Sequence, residues 1–206
     1  MIIKNATFIT SAATSSQFID PQKPMIAVCG KSNVGKSSFI NMLANQKHLA
    51  KTSSAPGRTR LVNYFDFGEF VLADLPGYGY AEVSKAEKEK WAKTLDSFFA
   101  DREKLTHVFA LADIRHDPTA DDKKMIEFLN YHRIPFTVIA TKSDKLSRMR
   151  VKEHAKKVAA GFKLGVDNVI PVSAQTRAGK EDVLNKIEQI LAIAALPPVE
   201  EEPEEE

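Results

Sequence analysis

The chain has 206 residues, 43% of them hydrophobic and 27% charged, with one cysteine and a formal net charge of +2. That suffices for one sizeable core; no apolar run approaches the roughly eighteen residues of a membrane span, and a lone cysteine excludes an internal disulfide. Six acids crowd the tail as Glu200, Glu201, Glu202, Glu204, Glu205 and Glu206, and without them the charge rises from +2 to +8, a balance that fits an anionic partner such as RNA, with scattered lysines serving only solubility nearly as good a reading.

The amino terminus, MIIKNATFITSAATSS, lacks a charged segment followed by a long apolar stretch and a small-residue cleavage site. No secretory leader is read there, and a cytoplasmic, membrane-free, monomeric protein is expected. Residues 1–22 read as an N-terminal extension, 23–195 as one domain and 196–206 as a disordered acidic tail, since PPVEEEPEEE is poor in apolar residues and broken by prolines. A second reading of the tail has it fold back and compete with RNA for the basic body.

Within the domain, short apolar runs alternate with amphipathic segments. That alternation predicts an α/β fold with a mainly parallel sheet and helices on both faces. Six strands are predicted, over Met25 to Cys29, Leu61 to Phe67, Phe70 to Ala73, Val108 to Ala112, Phe136 to Ala140 and Val169 to Val172. Only Gly68-Glu69 separates the second from the third, too little for a crossover, so this pair forms an antiparallel edge. Helices are predicted over Lys36 to Asn45, Lys85 to Ala100, Ala120 to Tyr131, Arg148 to Ala160 and Lys180 to Ala195, with Ser84 and Thr119 as N-caps. Cys29, in the first strand, reads as core packing.

Gly30-Lys31-Ser32-Asn33-Val34-Gly35-Lys36-Ser37 lies where that strand meets the first helix and fits G-x-x-x-x-G-K-[ST]. Its glycines let backbone N–H groups wrap phosphate oxygens at a positive helix end. Lys36 is expected to neutralise the β- and γ-phosphates and the Ser37 hydroxyl to bind Mg²⁺. Pro56-Gly57-Arg58-Thr59-Arg60-Leu61 falls in the long polar segment that follows, a candidate switch loop. Thr59 is the choice for the second Mg²⁺ ligand, with Thr52, or no threonine, as the alternative. Asp74-Leu75-Pro76-Gly77 ends the third strand, where Asp74 would hold Mg²⁺ through water and the Gly77 N–H would sense the γ-phosphate.

Thr141-Lys142-Ser143-Asp144 ends the fifth strand, and ligands of open α/β sheets bind at carboxyl ends of strands. Asp144 can accept from both guanine N1–H and the 2-amino group, which adenine cannot offer. Lys142 can lay its stem along the base, and Val172-Ser173-Ala174 can present an N–H to guanine O6. A helix N-cap by Ser143 or Asp144 is the plainer reading of TKSD. Together with the phosphate loop, guanine recognition is favoured.

GKSNVGKSS, SSAPGRTR, DLPGYGYA and TKSD, with ATFITSA near the start and LADIRHDPTADD after the fourth strand, resemble the EngB/YihA/YsxC family of bacterial GTPases over about residues 6 to 195. DLPGYGYA and ADIRHDPTADD are the narrow signatures; the other motifs occur in many GTPases. The resemblance implies a Ras-like GTPase domain, GTP and GDP as ligands, Mg²⁺ as cofactor, assembly of the large (50S) ribosomal subunit with its precursors and rRNA as partners, and ties to cell division through septation. The acidic tail lies outside the shared pattern. Thr141 stands where GTPases generally have asparagine, which removes one amide contact to the phosphate loop. Tyr78 stands where Ras-like proteins orient water with glutamine, so intrinsic hydrolysis should be slow. Asn33 matches the asparagine with which related potassium-dependent GTPases coordinate K⁺, making Lys36, Thr59 and Asn33 the candidate catalytic residues. Shaping of the loop by Asn33 is the alternative.

Trp91, Leu95, Phe98 and Phe99 form a helical apolar stripe that reads as core, with partner docking second. His48, His107, His132 and His154 show no metal-ligand spacing. Arg115 and His116 permit an rRNA or switch contact or plain loop salt-bridging. The competing function is a signalling switch with a protein effector and no RNA role. A small-molecule kinase would need an acceptor pocket that no motif supplies.

Overall fold

Seven strands make one sheet in this computed structural model, which describes residues 1–51, 61–79, 85–100 and 105–196; the side chains of residues 85–88, 90 and 91 are also outside the description. The strands are Thr7–Ala12 (β1), Met25–Gly30 (β2), Val62–Asp66 (β3), Val71–Asp74 (β4), Leu105–Asp113 (β5), Phe136–Thr141 (β6) and Val169–Pro171 (β7). They lie in the order β1-β3-β4-β2-β5-β6-β7. β3 runs antiparallel to both neighbours, and every other pairing is parallel. The helices are Lys36–Leu43 (α1), Lys85–Ala100 (α2), Ala120–Tyr131 (α3), Arg148–Gly161 (α4) and Lys180–Ala194 (α5).

The expected α/β fold with its antiparallel edge is present, with seven strands rather than six. The added strand, β1, lies inside residues 1–22 and pairs with β3 from Thr7 opposite Asp66 to Ala12 opposite Val62. Its register shifts between Phe8 and Thr10, and its first three residues are exposed. No clean two-residue alternation survives such a bulge on an edge strand.

β2 is buried at all six positions because helices cover both faces of the sheet, which is why MIAVCG reads as an unbroken apolar run. Leu95, Phe98 and Phe99 of α2, Met125 and Leu129 of α3, and Val158 of α4 pack one face. Phe39 and Leu43 of α1 with Val183 and Ile187 of α5 pack the other. The stripe on α2 is therefore core at Leu95, Phe98 and Phe99, while the Trp91 side chain, the proposed Ser84 cap and the tail beyond 196 lie outside the described residues. Burial pushes the Cys29 thiol up to about 12, so it stays an inert core group. His107 is buried against Thr137 at 2.9 Å, and burial, with Lys186 adding to it, lowers it to about 4, a neutral core imidazole.

The chain crosses from β2 to one side of the sheet and from β4 to the other, to β5. The crevice at the carboxyl ends of β2 and β5 is the topological switch point, and the phosphate-loop sequence occupies it.

Candidate functional site

Gly30 ends β2 with its Cα pressed against the next strand: a Cβ there would meet Val34 Cγ1 at 2.9 Å and Leu111 Cβ at 3.0 Å. Gly35, at φ +112°, is the N-cap of α1. It contributes no side-chain cap, and no acid stands in the first turn, so the N–H groups opening α1 are left for an outside acceptor. α3 makes the contrast. Its Thr119 accepts from the Asp122 N–H and Asp122 accepts back from the Thr119 N–H, a capping box that satisfies the helix from within.

Lys36 and Ser37 open α1, and Lys36 Nζ lies 3.8 Å from Asp74 Oδ1 at the end of β4. That oxygen is buried and makes no hydrogen bond among the described residues. Burial raises the Asp74 carboxyl above its usual value, with Lys36 and then Asn63 acting against it. Asn63 is the cross-strand partner of Asp74, and Ser11 of β1 donates to Asn63 Oδ1 at 2.6 Å. An orphaned carboxylate oxygen near the first residue of an open helix, whose second residue carries a hydroxyl, suits a hard cation. Among the described residues no three His, Cys, Asp or Glu side chains converge, so most of such an ion's shell would come from phosphate and water, as Mg²⁺ prefers. Ser11 and Asn63 were not legible as site residues, because only the β1–β3–β4 register brings them to Asp74.

Leu75, Pro76 and Gly77 lead from Asp74 to the phosphate loop, where a Cβ on Gly77 would lie 3.0 Å from Ser32 Oγ. The Ser32 N–H donates to Tyr78 O at 2.9 Å, and Lys31 and Tyr78 form a parallel bridge. The Tyr78 ring is turned inward, 5% exposed, and its hydroxyl donates to Asp122 Oδ1 at 2.8 Å. Its phenol is raised well above the usual value by burial first, then by Cys29 and Asp122.

The TKSD segment meets the same loop from the other side. Thr141 Oγ1 donates to Val34 O at 2.7 Å and lies 3.1 Å from Ala112 O. The expected loss of a contact at this position is thus corrected: a hydroxyl makes the bond to the loop. Removing it in Thr141→Val should cost about 1–2 kcal/mol by leaving a buried carbonyl short of a donor, read as a lower denaturant midpoint with unchanged slope. Lys142, at φ +62°, donates to Asn33 O at 2.8 Å and pairs with Asp113 Oδ2 at 3.0 Å. Asp113 also takes Arg115 in a two-bond grip at 2.9 and 2.7 Å; burial opposes ionisation, but Arg115 and Lys142 hold this carboxyl well below its usual range. Arg115 is therefore a loop salt bridge, as the plainer reading had it.

Asp144 Oδ1 accepts from Ser173 Oγ at 2.8 Å, and Oδ2 pairs with Lys145 at 3.2 Å. Burial works against its ionised form, yet Ser173 and Lys145 keep its carboxyl below the usual value. Ser143 N–H donates to Val172 O at 3.1 Å, which ties the segment to the end of β7. Ser173 is fully buried, and Ala174 follows it at the half-exposed rim. One rim thus gathers Lys31 to Ser37, Asp74 to Gly77, Thr141 to Asp144 and Val172 to Ala174. Leu61 lies just before β3 and half-buried, whereas Thr52, Gly57, Arg58, Thr59 and Arg60 are outside the described residues. Asn33 is exposed at φ +62°, and its side chain makes no hydrogen bond among the described residues, so loop-shaping by its amide is not seen.

The sequence model of the 50S ribosome-binding GTPase family matches residues 25–142. A protein of Geobacillus thermodenitrificans described as a probable GTP-binding protein EngB is 44% identical over 184 residues, 88% of this chain and 94% of its own. Another of the same description, from Alkaliphilus oremlandii, is 42% identical over 209 residues and the full length of both chains. The crystal structure of a probable GTP-binding protein engB superposes with a TM-score of 0.71 at 24% identity, over 82% of this chain and 99% of its own, a likeness of fold. With a family match across more than half its length and relatives this similar over nearly all of it, the chain belongs to the EngB family of GTP-binding, GTP-hydrolysing proteins.

Proposed function

We propose that this GTPase is a cytoplasmic, monomeric switch that binds precursors of the large ribosomal subunit when loaded with GTP and leaves after hydrolysis, with a consequent role in cell division. The observation that carries this reading is the match of residues 25–142 to a ribosome-binding GTPase family, in a chain whose body is basic once the acidic tail is set aside. The roles follow from position. Lys36 meets the β- and γ-phosphates, and the first-turn N–H groups of α1 and those of the loop line the remaining oxygens. Ser37 and Thr59 would hold Mg²⁺ directly and Asp74 through water; the ion supplies charge neutralisation across the β- and γ-phosphates. Asp144, presented by Ser173, takes guanine N1–H and the 2-amino group, the Lys142 stem lies along the base, and the Ala174 N–H meets O6.

No helix among the described residues is long and apolar enough to cross a membrane. Profiles of large-subunit precursors on sucrose gradients test the reading. The protein should co-sediment with them in a non-hydrolysable GTP analogue and remain at the top of the gradient in GDP. Identical profiles in both nucleotides would sink it.

Slow intrinsic turnover is consistent with a Tyr78 ring committed to Asp122 rather than to a water. Asn33, whose side chain in the phosphate loop makes no hydrogen bond among the described residues, is proposed to help hold K⁺ there, completed by the switch backbone, where a cation would offset developing charge. Hydrolysis should then run several-fold faster in KCl than in NaCl at equal ionic strength, faster again with ribosomal particles, and Asn33→Ala should remove the K⁺ effect while GDP binding holds. Equal rates in both salts, with and without particles, contradict this.

A further inference from the structure

Charge is shared out evenly on the helices with one exception. α5 carries Lys180 and Lys186 against Glu181, Asp182 and Glu188, and α3 carries Lys123 and Lys124 against Asp121, Asp122 and Glu127. α4 and the residue two beyond it carry Arg148, Arg150, Lys152, Lys156, Lys157 and Lys163 against Glu153 alone. Glu153 is occupied by Lys157 at 2.7 Å. The other five basic side chains are exposed and make no ion pair among the described residues.

Arg148, Lys152 and Lys156 recur every fourth residue, so they form one ridge of the helix, and the exposed Lys163 follows shortly after its carboxyl end. At 1.5 Å per residue the ridge runs about 12 Å from Arg148 to Lys156, a length over which a duplex presents on the order of seven phosphate charges. The apolar side of α4, with Ala155, Val158 and Ala159, is buried in the domain, which leaves no apolar face to enter a membrane.

We infer that the outer ridge of α4, Arg148-Lys152-Lys156 with Lys163, is the surface by which this chain docks on the phosphate backbone of RNA. The inference rests on the ribosomal reading above and names its contact. α4 follows the guanine-reading segment by three residues, so the ridge supplies backbone contacts of its own, too weak alone to hold the particle, and the GTP state of the phosphate-sensing segments decides whether the protein stays.

The test uses the full chain with Arg148, Lys152 and Lys156 all changed to Gln, which keeps helix propensity, against a control in which Lys123, Lys124 and Arg133, three exposed cations elsewhere, become Gln. The probes are a 20-base-pair RNA duplex and large-subunit precursor particles, each titrated from low to physiological salt. Affinity of the α4 variant for the duplex should fall at least tenfold, with the slope of log affinity against log salt reduced by about 2.7 if all three contact phosphates. The control should change less than twofold, and both variants should bind GDP as the wild type does. Equal losses in both variants overturn the proposal, since the charge would then act diffusely. Particle binding lost with duplex binding intact also overturns it, assigning the ridge to a protein partner. Failure of the wild type to bind particles in any nucleotide state defeats the ribosomal reading separately, because the duplex titration stands without it.

Discussion

Asp144→Asn should weaken GDP and GTP binding by about 2–3 kcal/mol, some 30- to 150-fold, and shift preference toward xanthine nucleotides. The carboxylate is held ionised by Ser173 Oγ at 2.8 Å and Lys145 at 3.2 Å, so it presents acceptors to the two adjacent donors on the guanine edge. An amide in its place turns one acceptor into a donor facing a donor. Xanthine carries an oxygen at that corner and restores the match. Because Asp144 is itself half-exposed and an asparagine Oδ1 can still accept from Ser173 Oγ, the variant should fold normally, and titration with fluorescent GDP and XDP reads the exchange directly. Unchanged GDP affinity in a folded Asp144→Asn protein would remove the base assignment.

Lys36→Ala should lower nucleotide affinity more than a hundredfold, as should Ser37→Ala where Mg²⁺ is required. Lys36 is the cation at the mouth of α1, and the structure loses little else with it: the described contact is the 3.8 Å approach to Asp74. That contact has a second consequence. Burial already raises the Asp74 carboxyl and Lys36 opposes the rise, so without Lys36 it rises further. A group raised on folding stabilises most below its unfolded value and loses that contribution as pH climbs through the folded one. The nucleotide-free Lys36→Ala protein should therefore lose more stability than the wild type between acid and neutral pH, measured by denaturant midpoints. Tight Mg²⁺-dependent binding in both the Lys36 and Ser37 variants would place the phosphate site elsewhere.

What was legible in the sequence was what neighbours in the chain determine. The phosphate loop, the bounds of α3 with its Thr119 cap, and the antiparallel pairing across Gly68-Glu69 all depend on residues a few positions apart. β1 was hidden because a bulge and an exposed edge erase the alternation by which strands are read. β5 was read three residues short at its start because Leu105, Thr106 and His107 are held by pairing with β2 and by the Thr106 hydroxyl on Met25 O. The bonds that finish the site were hidden for the same reason. Thr141 reaches Val34 across 107 residues, Tyr78 finds Asp122 across 44, and Ser11 reaches Asn63 across 52. No local pattern encodes such partners; the order of strands in the sheet does.

The site as a whole is claimed to read a guanine base over a phosphate loop, and titration of the unmodified protein with GDP, IDP and ADP tests that most directly. Inosine lacks only the 2-amino group and adenine lacks both donors that Asp144 accepts, so affinity should fall in steps, about tenfold from GDP to IDP and at least a hundredfold to ADP. Equal affinity for GDP and ADP would contradict the account, whatever the phosphate loop binds.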